Sequence, residues 1–305
     1  MKKLLVPTDF SEPSYYGLDA AADVARKTGA SIHIFNACEV SDYYYAADPL
    51  VISPPASIMI EGINDRLLKT SHSKLNLLKK RSSLKGLKVS VSAEVTANVH
   101  NAISACAESG KADMIIMGSH GAGNLREIIL GSTAERVVRF AVKPVIVVPV
   151  KPAKGLFRRI IFASDFTEEA YRIFPFVKEF GRINSSEIHL LKINTMDQFS
   201  RTIDDRRKIG DFNRKFGGKY VVSLYSDYMK EEGILNYTKE VKGDLIAIGT
   251  HGKRGLRRFF SEDVSEGIVR LSHIPILIVN LKKQKNRLES EPGFWQLCIQ
   301  SRKNL

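Results

Sequence analysis

Short apolar runs recur along the chain, separated by polar stretches in which apolar positions return every three or four residues. Leu4-Leu5-Val6-Pro7 reads as a buried strand; it closes on Thr8-Asp9-Phe10-Ser11, where Ser11 is placed to cap a helix. That helix is predicted over Glu12 to Thr28, with Gly29 as its stop. Ile32-His33-Ile34-Phe35 follows as a second strand, on which His33 is expected to be a packed histidine, since no second ligand stands at metal spacing. From Asp42 to Asn64 neither period holds: Tyr43-Tyr44-Tyr45, Pro49, Pro54-Pro55 and Met59 predict a long loop, of the kind that is usually functional in a compact domain. Helical spacing returns at Leu67, Leu68, Leu75 and Leu78, and Val89, Val91, Ala93 and Val95 alternate as a strand. A helix from Asn98 to Ser109, a strand from Met114 to Met117, a helix from Ser132 to about Ala141 and the strand Val145 to Val148 complete the pattern. Strands alternating with helices predict a parallel sheet with right-handed crossovers.

The pattern then starts again. Ile160-Ile161-Phe162-Ala163-Ser164-Asp165-Phe166-Thr167 repeats the first strand and its exit, Asp165 lying 156 residues after Asp9, and Ile188-His189-Leu190 repeats Ile32-His33-Ile34 at the same offset. Ile246-Ala247-Ile248-Gly249-Thr250-His251-Gly252 repeats Ile115 to Gly121, and Pro275 to Val279 repeats Pro144 to Val148, now 131 residues on. The second copy is therefore 25 residues shorter between its second and fourth strands, a shortening expected to fall on the 42–64 loop. Two α/β domains result, 1–150 and 156–281, joined by a Lys/Pro/Gly linker at 151–155. A basic tail follows at 282–305, with Phe294, Trp295, Leu297 and Ile299 near its end; fraying is expected of it, with docking on a partner as the alternative.

Composition changes this picture little. A chain of 305 residues with 44% apolar and 26% charged positions suits two soluble globular units. It has neither a run of about 18 apolar residues nor a signal-peptide core, so a cytoplasmic protein without membrane insertion is expected. Cys38, Cys106 and Cys298 form no C-x-x-C or zinc pattern and read as buried or incidental thiols. The net charge of +13 suits an anionic partner, but the basic residues are scattered, without the motifs of a zinc finger or an RNA-binding sheet. Nucleic acid is not the expected partner.

The chemistry concentrates where the fourth strand ends. Met117-Gly118-Ser119-His120-Gly121 runs from strand into a glycine-broken loop, and nine residues later Gly131-Ser132-Thr133 opens a helix whose free amides and positive dipole end favour an anion. Ser132 and Glu135 also form a capping box, which on its own marks only a helix start. In a doubly wound sheet the first and fourth strands flank the binding crevice, so Asp9 would face this loop.

Gly118-x-x-Gly121, nine residues, then Gly131-Ser132, together with Pro7-Thr8-Asp9-Phe10-Ser11, resembles the ATP-binding pattern of the universal stress proteins, and the resemblance covers both repeats. It implies two tandem doubly wound domains, each a five-stranded parallel sheet ordered 3-2-1-4-5 and flanked by helices. It also implies that Asp9 contacts ribose, that backbone near Asn36 and Ala37 meets adenine, and that Gly118, Ser119, His120, Gly121, Gly131, Ser132 and Thr133 hold the phosphates of ATP, with Mg²⁺ through those phosphates; Pro7, Thr8 and Met117 complete the expected nucleotide-binding set. In the second repeat, Glu262-Asp263 stands where Gly-Ser should be. Asp263 still caps a helix, but its carboxylate would take the amides a phosphate needs; Lys253, Arg254, Arg257 and Arg258 are the nearby charges that could offset it. One ATP per chain is expected.

No Walker loop, nucleophile elbow or nucleotidyl-transfer signature is present, so no catalytic residue is assigned, and His120 reads as a neighbour of the phosphates. The resulting expectation is a stress-response regulatory protein that binds ATP and presents a changed surface to a protein partner. A slow Mg-dependent ATPase and a scaffold without nucleotide are the alternatives. The resemblance further implies pairing of the two fifth strands as an intramolecular pseudo-dimer, and leaves a homodimer of chains open.

Overall fold

The computed structural model describes residues 1–40, 54–119, 131–152, 155–250, 268 and 272–280, with 54–60 and 250 by backbone alone. β1 (Lys3–Pro7) leads into α1 (Glu12–Thr28), where Ser11 Oγ accepts from the Ser14 amide at 3.3 Å and the left-handed Gly29, φ 71°, ends the helix. β2 (Ser31–Glu39), α2 (Pro54–Leu78), β3 (Val89–Thr96), α3 (Val99–Ser109), β4 (Met114–Gly118), α4 (Ser132–Phe140) and β5 (Val145–Val148) follow. The second half runs β6 (Arg159–Ala163), α5 (Glu168–Asn184), β7 (Glu187–Asn194), α6 (Thr202–Lys215), β8 (Val221–Ser226), α7 (Lys230–Glu240), β9 (Leu245–Thr250) and β10 (Ile276–Asn280).

The loop expected at 42–64 is a correction. Its second part is already helix, because α2 begins at Pro54, and the pair Pro54-Pro55 sits in the first turn, where a missing N–H costs nothing. Residues 41–53 lie outside the described residues. The shortening of the second copy also falls in large part on this helix, since α2 has 25 residues and its counterpart α6 has 14.

The ten described strands form one sheet ordered β3-β2-β1-β4-β5-β10-β9-β6-β7-β8. Within each half the neighbours are parallel and the order is 3-2-1-4-5. The halves meet at β5 and β10, which run antiparallel with Ile276 opposite Val147 and Leu277 opposite Ile146. The central strands are buried on both faces, which is why they read as unbroken apolar runs rather than alternations. One face carries a core shared by α1, α2, α5 and α6, including Leu18, Leu75, Phe174 and Phe212; the other carries α3, α4 and α7 through Ile103, Val137 and Ile234. Each fully buried aliphatic side chain contributes about 1.5–3 kcal/mol, so these two layers supply the main driving force. Lys27 Nζ reaches across the halves to the Leu156 carbonyl at 3.2 Å and Asn184 Oδ1 at 3.0 Å.

Candidate nucleotide site

The site begins where β1 gives out. β1 pairs with β2 only as far as Pro7 opposite Phe35, whereas β3 stays beside β2 to Glu39 opposite Thr96. The last residues of β2 therefore have a partner strand on one side only; even-numbered residues turn their N–H and C=O to β3, as Ile32 and Val40 do, which leaves the backbone of Ala37 facing the gap. Asn36 sets that edge: its Nδ2 donates to the Thr8 carbonyl at 2.7 Å, and its Oδ1 accepts from Ser71 Oγ at 2.7 Å and from Cys38 Sγ at 3.1 Å. This buried amide ties β1, β2 and α2 together through its side chain.

After β1 the chain turns sharply. Phe10 takes a left-handed conformation, φ 66°, with its amide bonded to Thr8 Oγ1 at 3.0 Å. Asp9 is exposed; its Oδ1 accepts from the Ser11 amide at 3.0 Å and from Ser11 Oγ at 2.5 Å. Among the described residues no hydrogen bond reaches Oδ2, so the carboxylate keeps acceptor capacity for a hydroxyl.

On the other wall, β4 ends at Gly118. A side chain here would put its Cβ 2.4 Å from the Pro13 carbonyl oxygen, and a Cβ on Gly17 would lie 2.8 Å from the Met117 carbonyl carbon. Gly118 is thus required by the backbone contact between β4 and the first turn of α1, a packing role beyond the ligand approach expected from sequence. Ser119 is fully buried and its carbonyl accepts from the Gly131 amide at 2.8 Å, which draws the start of α4 to the end of β4.

The capping box expected at Ser132 is also corrected. Gly131 is the N-cap, with no side-chain cap bond, and Ser132 is the first helical residue. With glycine at the cap, no capping side chain among the described residues bonds the first amides of α4, and donors at the positive end of the dipole suit an anion.

These elements enclose a cavity of about 690 Å³. Pro7, Thr8, Asp9, Asn36, Ala37, Met117, Gly118, Ser119, Gly131, Ser132 and Thr133 all line it; His120 and Gly121 lie outside the described residues. So do Gly252 to Asp263 of the second half, with Lys253, Arg254, Arg257 and Arg258. Sequence reasoning missed one wall: Ile63, Arg66, Leu67, Thr70, Ser71 and Lys74 of α2, with Val99 and Ile103 of α3 opposite. The spacing of three and four residues from 63 to 74 is the signal that could have found it, had α2 been recognised from Pro54 onward. Cys38 lines the cavity as well, so it is not an incidental thiol. Cys106 lies away from it, and burial raises its thiol above the usual range.

His33 is half-buried and no ligand: its Nδ1 and Nε2 sit 2.8 Å and 2.9 Å from Ser90 Oγ and Ser92 Oγ of β3. His189, its counterpart on β7, pairs through Nδ1 with Tyr237 Oη at 2.7 Å. Desolvation, foremost, holds both imidazoles below their ordinary range.

The family model described as the universal stress protein family matches residues 1–149 and 214–280. A universal stress protein of Synechocystis is 24% identical over 291 residues, covering 91% of this chain and 99% of the relative. One of Methanocaldococcus jannaschii is 34% identical over 154 residues, covering 50% of this chain and 84% of the relative. Among solved structures, a universal stress protein from Archaeoglobus fulgidus superposes with a TM-score of 0.71 at 22% identity, covering 91% of this chain and 98% of the other, a likeness of fold. By the extent of the family match and the Methanocaldococcus relative, the chain belongs to the universal stress protein family.

Proposed function

We propose that this universal stress protein is a regulatory module that binds one ATP, in the cavity of its first half. The observation that carries the reading is the start of α4: an N-cap glycine without a capping side chain opens onto the same cavity as the exposed carboxylate of Asp9 and the one-sided edge of β2. The amides of Ser132 and Thr133 suit phosphate oxygens, Asp9 suits ribose hydroxyls, and the N–H and C=O of Ala37, next to Asn36 on the open side of β2, offer the paired donor and acceptor that an adenine edge requires. Mg²⁺, carried by the phosphates, would neutralise part of their charge. No residue is assigned a catalytic role, and the consequence of binding is ordering of the walls, presented to a protein partner. Among the described residues no helix is long and apolar enough to cross a membrane.

Thermal denaturation with and without Mg-ATP tests this. At a hundred times its dissociation constant, a ligand of the folded state adds about 2.7 kcal/mol. Gly131→Asp is expected to abolish that gain, because a carboxylate about 4 Å from a phosphate charge repels it by on the order of 4 kcal/mol at an effective dielectric near 20. A wild-type chain with no shift would leave a scaffold without nucleotide as the better description; titration calorimetry giving two nucleotides per chain would overturn the single site. Release of product at equal rates by wild type and Gly131→Asp would assign any ATP hydrolysis to contamination.

A further inference from the structure

By sequence offset, positions that line the first-half cavity have counterparts in the second half. At the offset of 156 residues Asp165 answers Asp9 and Lys192 answers Asn36; at the offset of 131, Lys230, first residue of α7, answers Val99, first residue of α3. The turn after the aspartate is the same in both halves, with Phe166 left-handed at φ 53° and its amide bonded to Ser164 Oγ at 3.1 Å. What differs is what the carboxylate meets. Asp9 stays exposed on the cavity wall, whereas Lys230 Nζ donates to Asp165 Oδ2 at 3.0 Å and Lys192 Nζ lies 3.6 Å from Asp165 Oδ1. Lys192 also lies 3.5 Å from Asp205 of α6, whose other oxygen accepts from Ser200 Oγ at 2.5 Å. The side chains are little exposed, 10% for each lysine, 15% for Asp165 and 7% for Asp205.

We infer that Lys192 and Lys230 close the second half to nucleotides by holding, from within the chain, the carboxylate that the first half leaves open to a ligand. A ribose hydroxyl is neutral and cannot displace a tethered ammonium from a carboxylate that is largely withdrawn from water. The surroundings are closed in the same sense. Phe166 is buried, and its ring packs edge-on against Phe212 of α6 with centroids 5.0 Å apart, while its counterpart Phe10 lines the open cavity. The family match, moreover, skips residues 150–213, the segment that carries Asp165, Lys192 and Asp205. This closure works on the sugar side and does not depend on the sequence change to Glu262-Asp263. The inference rests on the proposed nucleotide site only in the first of its two tests.

In that test Val99→Lys places an ammonium near Asp9, and Val99→Met places a stem of similar length without charge. Calorimetric titration with ATP is expected to show a loss of affinity at least tenfold larger for Val99→Lys than for Val99→Met, with both chains folded by circular dichroism. Equal losses would mean that bulk alone blocks the cavity, and would overturn the inference. The second test needs no nucleotide: a thermal double-mutant cycle on Asp165→Asn and Lys230→Met. Lys230→Met alone should lower the unfolding midpoint by several degrees, and Asp165→Asn in the same chain should restore most of it. Additive midpoints would overturn the inference, since the lysine would then not be holding that carboxylate. A wild type that takes up no ATP would instead sink the first-half site, and leave the lysine pair to be decided by the cycle.

Discussion

Single glycines decide how close two backbones come, and the two halves solve the same contact differently. Gly118 and Gly17 let the end of β4 touch the first turns of α1 backbone to backbone; in the second half Gly249 keeps its place, but Ile173 stands where Gly17 would be, and it is the Ile173 side chain that a Cβ on Gly249 would meet, at 2.0 Å from Cδ1. Gly118→Ala is therefore expected to destabilise by about 1–3 kcal/mol, because a carbonyl cannot rotate away. Gly249→Ala is expected to cost less, since an isoleucine tip can move. Urea unfolding of the two variants compares them directly, and equal losses would contradict the distinction. At this scale the sequence marks Asp9, Asn36 and Gly131, and the fold brings all three to the wall of one cavity. The cap was misread because Ser132 followed by Glu135 satisfies the capping-box spacing whether serine stands at the cap or one residue inside. Lys192 and Lys230 carried no signal, since a lysine in a strand or a first turn reads as solvent-facing until tertiary structure sets it against a carboxylate.

The elements were legible where burial is complete and obscure where it is one-sided. β1, β4 and β5 stand out as apolar runs because both faces are covered, and α1 stands out because Ser11 and Gly29 bracket it. The start of α2 was hidden because two prolines read as a breaker, although in a first turn they are compatible with helix. Strand pairing brings a pH dependence of its own. His33 joins β2 to β3 through two serines, and the folded protein takes up its proton less readily than the unfolded chain does. Stability should therefore fall as pH drops through the unfolded imidazole value near 6.5, levelling off once the folded imidazole is protonated too. His33→Gln is expected to flatten the decline in urea midpoint between about pH 7.5 and 5, leaving the share contributed by His189 and His100, whose imidazoles burial also holds down. An unchanged slope would show that His33 titrates alike in both states.

At the level of the whole molecule, the sheet does not stop at the border between the halves. Leu277 and Ile146 face each other across β10 and β5, both fully buried, and the core on either face draws side chains from both halves. Leu277→Ala should cost about 2–5 kcal/mol and weaken both halves together, so that calorimetry gives one transition displaced as a whole. Two separate transitions, with only the second half displaced, would show that the seam transmits nothing. The alternation of strands and helices announced this architecture, and the repeat offsets announced its two copies; the seam itself came only from resemblance, because apolar fifth strands do not reveal what they pair with. Covalent connection gives the seam one further property. Two separate subunits joined along such strands would come apart on dilution, whereas β5 and β10 meet at an effective concentration fixed by the chain that joins them. The paired state is then as complete at a few copies per cell as at thousands.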